Sequence, residues 1–550
     1  MRKFTNKPKL SELTLREKIG QTAVVQLADF INHENIEEHL KNNPLGNIWN
    51  CGNQAMTIVN LTGIVGVDLQ DSEYYRKWIE KINGMLPIPV LSATDPVGEA
   101  FANNFIEIVT APTVAATNSY DLAYEYGVMQ AKMAKSGGCN YFWAPVMDIP
   151  SRFSAVSIMR SMSDDPKKLK ELSKGMILGL QDNGVAATVK HFPGCDQTEY
   201  RDAHFSPAII GSSLREWKKL QGKAFQNMFD IGVMSVMITH EAFPAVDDRK
   251  LGNNYYPATI SDKIITKLLK KKMGFKGVAI TDGIDMASLN AAFPNHEDLY
   301  IALLNAGNDI LLGVRDMDYI DMIERAVNDG RINEERINDA CSRVLDMKEK
   351  LGLFSEKQEE PTIMDDKLYN EIADFNRRVS DLAVTLECDN TNKLPLDASK
   401  IKNVTIVCSA HVDRAFEALK HMKAAFEERG INVKLQRRIK DQEEMDRIDS
   451  ESDLIIYAGY LHNHQPMGAS SFYGDECATF FYAFTKGKDK SIGVSLGSCY
   501  VYYDFYSQLD TFVHAYSLSK EAQEAFVKGI FGEIEFKGVM PYIKPGPRKE

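Results

Sequence analysis

The sequence predicts an α/β protein in which a (β/α)8 TIM barrel is followed by an open α/β/α sandwich domain. Over the first two thirds of the chain, short apolar runs rich in Val and Ile alternate with longer amphipathic stretches. Parallel strands and their crossover helices produce this pattern. A second, shorter alternation follows a polar stretch. The chain has 550 residues, too many for one ordinary core and enough for both domains.

The barrel is predicted over residues 1–354, with eight strands taken from eight short apolar runs. Each run is too short for an independent helix, and eight such strands with crossover helices fit a (β/α)8 barrel. Amphipathic patterns over 119–137 and 166–184 predict two of the helices between them. The predicted strands are 22–27, 45–49, 89–93, 141–147, 186–191, 233–239, 277–281 and 309–312.

A linker and a connecting helix are predicted over 355–400. The stretch 355–367 is polar and charged, as linkers are, and a helical pattern over 369–386 follows it. The sandwich domain is predicted over 401–550, a normal domain size, with a helix over 414–430. Its predicted strands are 403–409, 432–436, 453–459, 492–497 and 512–517.

Charge and composition exclude several classes of partner. The net charge is −12 and there is no basic tract, so no nucleic acid is expected as a partner. No apolar run is as long as a membrane span, so no membrane is expected either. The first residues lack the apolar segment of a secretory signal, and the eight cysteines are scattered without paired metal spacing. We therefore expect a cytoplasmic protein without a metal site, and a homodimer is left open.

Ionisable side chains follow many of the predicted barrel strands, at the point where each strand ends or in the loop after it. They are Asp95, Asp148, Arg160, Lys190, His191, Asp202, His204, His240 and Asp282. Active sites of (β/α)8 barrels lie at the carboxyl ends of the strands. So many ionisable groups at one mouth are costly unless a charged or hydroxyl-rich ligand uses them. For any single residue, a structural ion pair or a helix cap is an equally good interpretation, but the set favours a site.

Asp282 suits glycoside chemistry because a carboxylate held at a strand end can attack an anomeric carbon. The alternative is a cap for the next helix, which suits Asp285 better. Lys190 also suggests a Schiff base, but its neighbours contain no separate acid set of that kind, so we rank this interpretation low.

Asp202 and His204 form an Asp-x-His pair that suits acid–base chemistry. The carboxylate can hold the imidazole in one tautomer and raise its pKa, so that the ring starts protonated and acts as an acid. After giving up its proton, the ring is a neutral base that can activate the next acceptor. Without further context, such a pair is most often a surface pair.

Ordered motifs along the chain resemble those of glycoside hydrolase family 3, in its β-N-acetylhexosaminidase branch. The segment KHFPGCDQTEYRDAHFSPAI at 190–209 is similar to the KHFPGHGD…D-x-H signature of that branch. NYFWAPVMDIP at 140–150 resembles its APVxD strand, and IMRSMSDDP at 158–166 resembles its VRSFGEDP loop. The segment at 256–286 is similar to the one that carries the family's nucleophile, and FKGVMPY at 536–542 resembles the end of the second domain.

The resemblance implies a retaining glycoside hydrolase that requires no cofactor. It implies that Asp282 is the nucleophile and that the Asp202–His204 dyad is the acid/base. It also implies that four further side chains hold sugar hydroxyls, namely Asp95, Arg160, Lys190 and His191. Such groups suit a polyol, since Lys and Arg donate hydrogen bonds to oxygens without needing a proton in return.

Three departures from the family pattern bear on the sugar. The family's DQEGGR loop stands here as TDPVGEAF at 94–101, so that Asp95 matches while the Gly pair and the Arg do not. Cys195 replaces the histidine after KHFPG, and Gly283 replaces the second acid of the nucleophile motif. The reaction class is unaffected, and the identity of the non-reducing sugar stays open.

We therefore expect an enzyme that cleaves terminal β-linked N-acetylhexosamine from a carbohydrate through a glycosyl intermediate on Asp282. Three alternatives stay open: a β-N-acetylglucosaminide phosphorylase, a β-glucosidase or β-xylosidase, and a non-catalytic sugar-binding protein. The role of the second domain is also open. We interpret the loop with His462 and His464 as solvated, because two histidines alone do not make a metal site.

Overall fold

Eight parallel strands form the first sheet of the protein, seen in a computed structural model. The strands follow one another in sequence order from β1 to β7, and β8 pairs with β1. A parallel bridge between Ile280 and Ile310 joins β7 to β8, so the sheet closes into the predicted (β/α)8 barrel. The strands are β1 Ala23–Gln26, β2 Asn47–Trp49, β3 Leu91–Thr94, β4 Tyr141–Phe142, β5 Ala186–Phe192, β6 Ser235–Ile238, β7 Val278–Thr281 and β8 Leu311–Leu312.

The structure describes most of the chain. The described residues are 3–27, 35–49, 72–95, 108–151, 154, 157, 160–195, 199, 201–355, 360–461, 471–472 and 474–543. His462, His464 and the loop after Asp95 lie outside the described residues, as does Cys51.

Helices surround the barrel, and their capping residues explain where several of them begin. Ser119 accepts a hydrogen bond from Leu122 N at the start of one helix. Asp165 accepts two at the start of another, with Pro166 in its first position. The described helices are Leu15–Gly20, Ile36–Asn42, Ser72–Met85, Ala111–Ala116, Tyr120–Ser136, Pro166–Gln181, Leu214–Lys219, Gln221–Asp230, Lys263–Lys272, Ala287–Asn290, His296–Ala306, Tyr319–Asn328 and Glu334–Lys350.

The barrel interior is filled by side chains rather than open. Val24, Leu91, Tyr141, Trp143 and Met237 belong to one buried cluster inside the sheet. A second apolar layer, between the sheet and the helices, buries the outer faces of the strands. Since both faces are covered, the strands read as continuous apolar runs, as the sequence indicated.

The second sheet has six strands, in the order β9-β14-β13-β12-β10-β11. β9 pairs antiparallel with β14 at one edge, and the other pairs are parallel. The strands are β9 Thr385–Asp389, β10 Asn403–Ala410, β11 Asn432–Gln436, β12 Leu454–Tyr460, β13 Ser491–Ser495 and β14 Thr511–His514. The helices of this domain are Asp413–Ala418, Lys420–Glu427, Gln442–Glu451, Asp475–Tyr482, Tyr502–Tyr506 and Lys520–Ile530. The predicted fold class is confirmed for both sheets.

The connecting segment contributes more than a linker. Only Val384 separates its helix, Asp366–Ala383, from β9, which is itself part of the second sheet. The helix lies against the barrel, where Asn376 Oδ1 accepts a hydrogen bond from Val109 N at 3.0 Å. Boundaries at 354 and 400 stay predictions.

The two domains also meet at an apolar cluster around several tyrosines. Ala116 of the barrel packs with Ala383, Tyr500, Tyr516 and Tyr542.

Every helix in the described ranges is too short or too polar to cross a bilayer.

Candidate active site

A cavity lies at the carboxyl ends of β4 to β7, and its empty space amounts to about 590 Å³ when the open solvent at its mouth is included. Asp148 lies beyond β4, His191 is in β5, Thr239 follows β6 and Asp282 follows β7, and all four line the cavity. The parallel strands of a barrel end at the same face, so residues far apart in sequence meet there.

Asp282 is held at the end of β7 by its own backbone. Its N–H donates to Ile238 O of β6 at 2.9 Å, and Gly283 N donates to Asp282 Oδ1 at 2.8 Å. Burial raises the pKa of Asp282, but the charges of His191, His240 and His204 together with the Gly283 N–H lower it to about 2. The carboxylate is therefore ionised near neutral pH and faces the cavity as an anion.

Asp202 and His204 form the predicted dyad. His204 Nδ1 lies 2.6 Å from Asp202 Oδ1, and His204 N donates to the same oxygen at 2.9 Å. Burial lowers the pKa of His204, but the hydrogen bond and charge of Asp202 and the charge of Asp282 raise it above its ordinary value. For Asp202, burial raises the pKa, but the contacts with His204 outweigh burial and lower the pKa below its ordinary value. Both shifts favour an imidazolium beside a carboxylate.

Loop contacts fix the dyad relative to the segment after β7. Ala287 N donates to His204 O at 3.1 Å, and Ser288 Oγ donates to Ala203 O. The buried Glu199 carboxylate closes the loop, accepting hydrogen bonds from Arg201 N at 3.0 Å and Ile209 N at 2.9 Å. The acid/base candidate and the nucleophile candidate are thus connected through a few short contacts.

Lys190 and Asp95 form an ion pair next to this cavity. Lys190 Nζ donates to Asp95 Oδ1 at 2.7 Å, and the lysine side chain is only 1% exposed. Burial lowers the pKa of Lys190, although the charge of Asp95 acts to raise it. Arg160 is also buried, and within the described part of the chain its Nε finds no hydrogen-bond acceptor. Such a donor suits a ligand oxygen.

His191 is oriented by Asp148. Asp148 Oδ2 lies 2.7 Å from His191 Nδ1, Asp148 Oδ1 accepts from His191 N at 3.1 Å, and Ser157 Oγ donates to Oδ2 at 3.1 Å. Burial raises the pKa of Asp148, but the charge of His191 and these hydrogen bonds lower it below its ordinary value. An ionised carboxylate accepts only, so Nδ1 is the donor. Among the described residues Nε2 has no hydrogen-bond partner, so it can contact a ligand.

The structure brings the predicted residues to one face of the barrel. Asp282, His204, Asp202 and His191 line the cavity itself. Lys190, Asp95 and Arg160 lie beside it, and Arg160 is close enough to affect the pKa of Lys190, Asp202 and His204.

His240 serves the backbone rather than the cavity. Its Nε2 lies 2.8 Å from Gly283 O and its Nδ1 lies 3.0 Å from Thr259 Oγ1, so both ring nitrogens contact the protein. Burial lowers its pKa below the ordinary value. His240 therefore supports the turn that follows Asp282.

Several residues that line the cavity were not singled out from the sequence. Among them are Glu199, Arg201, Thr239 and Glu241. Thr239 and Glu241 flank His240 at the end of β6, so the strand-end rule could have found them. Among the described residues, no group of three or more His, Cys, Asp or Glu is arranged to hold a metal ion.

A barrel that gathers an ionised carboxylate and a carboxylate–imidazole dyad at its carboxyl face belongs to the class of (β/α)8 proteins with a polar-ligand site. Residues 14–347 match the family described as "Glycosyl hydrolase family 3 N terminal domain". The chain therefore belongs to glycosyl hydrolase family 3, as its motifs indicated.

Similar proteins in this family carry two kinds of name. The chain is 28% identical over 250 residues to a beta-N-acetylglucosaminidase/beta-glucosidase of Cellulomonas fimi, covering 44% of this chain and 43% of that one. It is 28% identical over 250 residues to a beta-hexosaminidase of Nitrosomonas eutropha, covering 44% of this chain and 69% of that one. The matched region thus spans less than half of the Cellulomonas protein.

Solved structures resemble the whole fold. A beta-glucoside phosphorylase superposes with a TM-score of 0.82 at 21% identity, covering 97% of this chain and 94% of that one. A glycoside hydrolase family 3 beta-N-acetylglucosaminidase from Paenibacillus superposes with a TM-score of 0.81 at 23% identity, covering 96% and 99%. At these identities, the likeness shows the two-domain fold.

Proposed function

We propose that this protein is a retaining glycoside hydrolase that removes terminal β-linked N-acetylhexosamine residues of the N-acetylglucosaminide type. One observation carries the proposal: a single cavity holds the Asp282 carboxylate, whose pKa is about 2, and the His204 imidazole, whose pKa is raised. A nucleophile must be ionised and an acid must be protonated at the same pH. The two pKa shifts favour both states at once, which supports these roles for Asp282 and His204.

In the first step, Asp282 attacks the anomeric carbon and the bond to the leaving oxygen breaks. His204 gives its proton to that oxygen, which leaves as an alcohol, while the sugar stays bound to the carboxylate as an ester. In the second step, the neutral His204 accepts a proton from water as the water oxygen attacks the anomeric carbon. The ester bond breaks, and Asp282 returns to its ionised state.

The sugar is held by the remaining side chains of the site. Lys190, Asp95, Arg160 and His191 lie around the cavity as donors and acceptors for hydroxyl groups. The names of the relatives favour a 2-acetamido sugar and include a β-glucosidase activity as well. We propose the 2-acetamido sugar as the preferred one.

A phosphate acceptor is the second candidate. A carboxylate acid/base would be an anion after the first step and would repel phosphate, whereas His204 is then neutral. A structural neighbour is named as a phosphorylase, which supports keeping this candidate. Phosphate would then replace water in the second step and release a glycosyl-1-phosphate.

A panel of fluorogenic β-glycosides, assayed with and without millimolar phosphate, tests the proposal. We expect the highest kcat/KM for the β-N-acetylglucosaminide. A higher value for the β-glucoside or β-xyloside would contradict the sugar assignment, and sugar binding without turnover would select the non-catalytic alternative. Glycosyl-1-phosphate as the product would select the phosphorylase, and free sugar alone would reject it.

The cellular setting and assembly complete the proposal. We propose a cytoplasmic location, supported by the scattered positions of the cysteines in the sequence. We leave the homodimer open, as the sequence does.

A further inference from the structure

The loop that carries Arg160 is also a place where the second domain contacts the barrel. Tyr542 OH donates to Ser161 O at 2.6 Å, and Ser163 Oγ donates to Pro541 O at 2.5 Å. Both contacts are buried. We call residues 540–543 the strap, because they lie across residues 160–164 of this loop.

Further contacts hold the strap on both sides of these two bonds. Ile543 N donates to both oxygens of Asp164, at 2.9 and 3.0 Å, and Tyr500 OH donates to the same carboxylate at 3.4 Å. Lys168 Nζ donates to Met540 O at 3.3 Å. Burial raises the pKa of Asp164 to about 6, although the Ile543 N–H acts to lower it. Ser161 and Ser163 are fully buried where the strap covers the loop, whereas Ile543 at the end of the strap is exposed.

The strap contacts Ser161, the residue that follows Arg160 of the proposed sugar site. Ser161 forms a parallel bridge with Val146, and Val146 forms another with Lys190. The carbonyl of Ser161 accepts the hydrogen bond from Tyr542 OH. Through these two bridges, the backbone of Ser161 is connected to that of Lys190, whose side chain pairs with Asp95. Arg160 directly precedes Ser161, and its charge acts on Lys190, Asp202 and His204.

The barrel holds this loop at its two ends and, through the bridge to Val146, at Ser161. The turn Ser157–Arg160 is closed by Arg160 N donating to Ser157 O at 3.1 Å, and Asp165 begins the next helix as its cap. Ser161 O, the Ser163 hydroxyl and the Asp164 carboxylate, between those ends, all use the strap as a partner. The second domain thus supplies contacts that the barrel does not.

We propose that the strap is a positioning element of the sugar site and that Tyr542, through the carbonyl of Ser161, sets the place of the Arg160 guanidinium. This inference rests on the proposed function, because it is there that Arg160 is assigned to the sugar. It gives the second domain a role in substrate binding without a direct contact to the sugar. Tyr542 is a positioning residue rather than a catalytic one.

The test compares Tyr542→Phe with Tyr319→Phe in the full chain. Tyr319 is a matched control, since its hydroxyl also makes a buried hydrogen bond, to Thr22 Oγ1 at 2.8 Å, at the amino end of β1. For Tyr542→Phe we expect KM to rise about 3- to 10-fold, as the loss of one hydrogen bond allows, with kcat within about twofold of the parent. Tyr319→Phe should leave KM unchanged.

A second arm asks whether the effect passes through Arg160. In an Arg160→Lys background, Tyr542→Phe should raise KM little further, because residues that act through one another are not additive. Hydrogen exchange gives a readout independent of turnover: amides of residues 160–165 should exchange faster in Tyr542→Phe and not in Tyr319→Phe. If Tyr542→Phe does not fold, Ser163→Ala takes its place.

The outcomes separate this inference from the proposed function. A parent chain inactive on every β-glycoside would overturn the proposed function and this inference with it. With an active parent, equal KM and equal exchange for the two Tyr→Phe variants would overturn the inference alone. Fully additive KM effects with Arg160→Lys would also overturn it, since the strap would then act on the site by another route.

Discussion

The two ends of the barrel both bury charged side chains but arrange them differently. At the amino ends of the strands, the buried Asp309 accepts hydrogen bonds from Lys270 Nζ at 2.6 Å, Arg336 at 2.5 Å and Ala279 N at 2.9 Å. At the carboxyl ends, the side chain of Asp282 accepts one hydrogen bond from the described residues, from Gly283 N at 2.8 Å.

The difference separates a structural charge from a functional one. Both oxygens of the Asp309 carboxylate accept hydrogen bonds from the protein. The carboxylate therefore holds the helices to the strands and is not placed to bind a ligand. The Asp282 carboxylate is kept ionised by imidazoles near the cavity and by one N–H, which leaves lone pairs for a reacting atom.

Asp282→Ala should abolish turnover while the protein stays folded. Loss of a nucleophile lowers kcat by about 10³-fold or more, and steady-state assays with an activated β-N-acetylglucosaminide would measure it. Asp285→Ala is the matched control, because Asp285 follows in the same segment and pairs with Arg315 at 2.8 Å. Near-parent turnover by Asp282→Ala would remove it from the mechanism.

Asp309→Asn should have the opposite profile. It leaves Lys270 and Arg336 without their buried partner, and breaking such a pair costs about 3–5 kcal/mol of unfolding free energy. Denaturant melts would show this loss, with kcat within about twofold of the parent at a temperature where both are folded. Asp248→Asn, at an exposed side chain, should cost under about 0.5 kcal/mol. A large fall in kcat for Asp309→Asn would contradict a purely structural role for Asp309.

His204→Ala should slow hydrolysis most for substrates with poor leaving groups. An acid contributes about 10²- to 10⁴-fold when the departing oxygen needs a proton, and little when it leaves as a stable anion such as dinitrophenolate. The two kcat/KM values, each relative to the parent, measure this difference. Equal losses for both leaving groups would argue against an acid role.

Asp202→Asn should move the basic limb of the kcat/KM profile to lower pH. Activity that needs protonated His204 is lost as pH rises through its pKa, which Asp202 raises. Without the carboxylate, the pKa falls and the loss begins at lower pH. Asp316→Asn is the matched control, because Asp316 pairs with His296 at 2.8 Å outside this cavity. A basic limb unmoved by Asp202→Asn would assign it to another group.

Much of the fold could be predicted because the strands are buried on both faces. The prediction for 432–436 matches β11 residue for residue. β4 is shorter than predicted: the run 141–147 contains Pro145, which has no N–H for the ladder, and regular pairing stops at Phe142. β9 was not foreseen, because TLECD at the edge of a sheet lacks a buried apolar run and its pairing with β14 is decided by tertiary contact.

The candidate site also contains residues that the sequence predicts and residues that it does not. Asp282 and His191 were accessible from sequence because a barrel strand places its last residues at the mouth. The loop-closing role of Glu199 was not, since it depends on a hydrogen bond to Ile209 that no local pattern encodes. The contact between Asp164 and Ile543 joins residues 379 positions apart, so only the folded chain reveals it.

Covalent labelling of the parent protein identifies the carboxylate that attacks the sugar. The parent protein is incubated with a 2-fluoro or otherwise slowed β-glycoside that accumulates the covalent intermediate, digested and mapped by mass spectrometry. The account predicts a glycosyl label on Asp282, absent from Asp282→Ala and present in Asp285→Ala. A label on another carboxylate would contradict it.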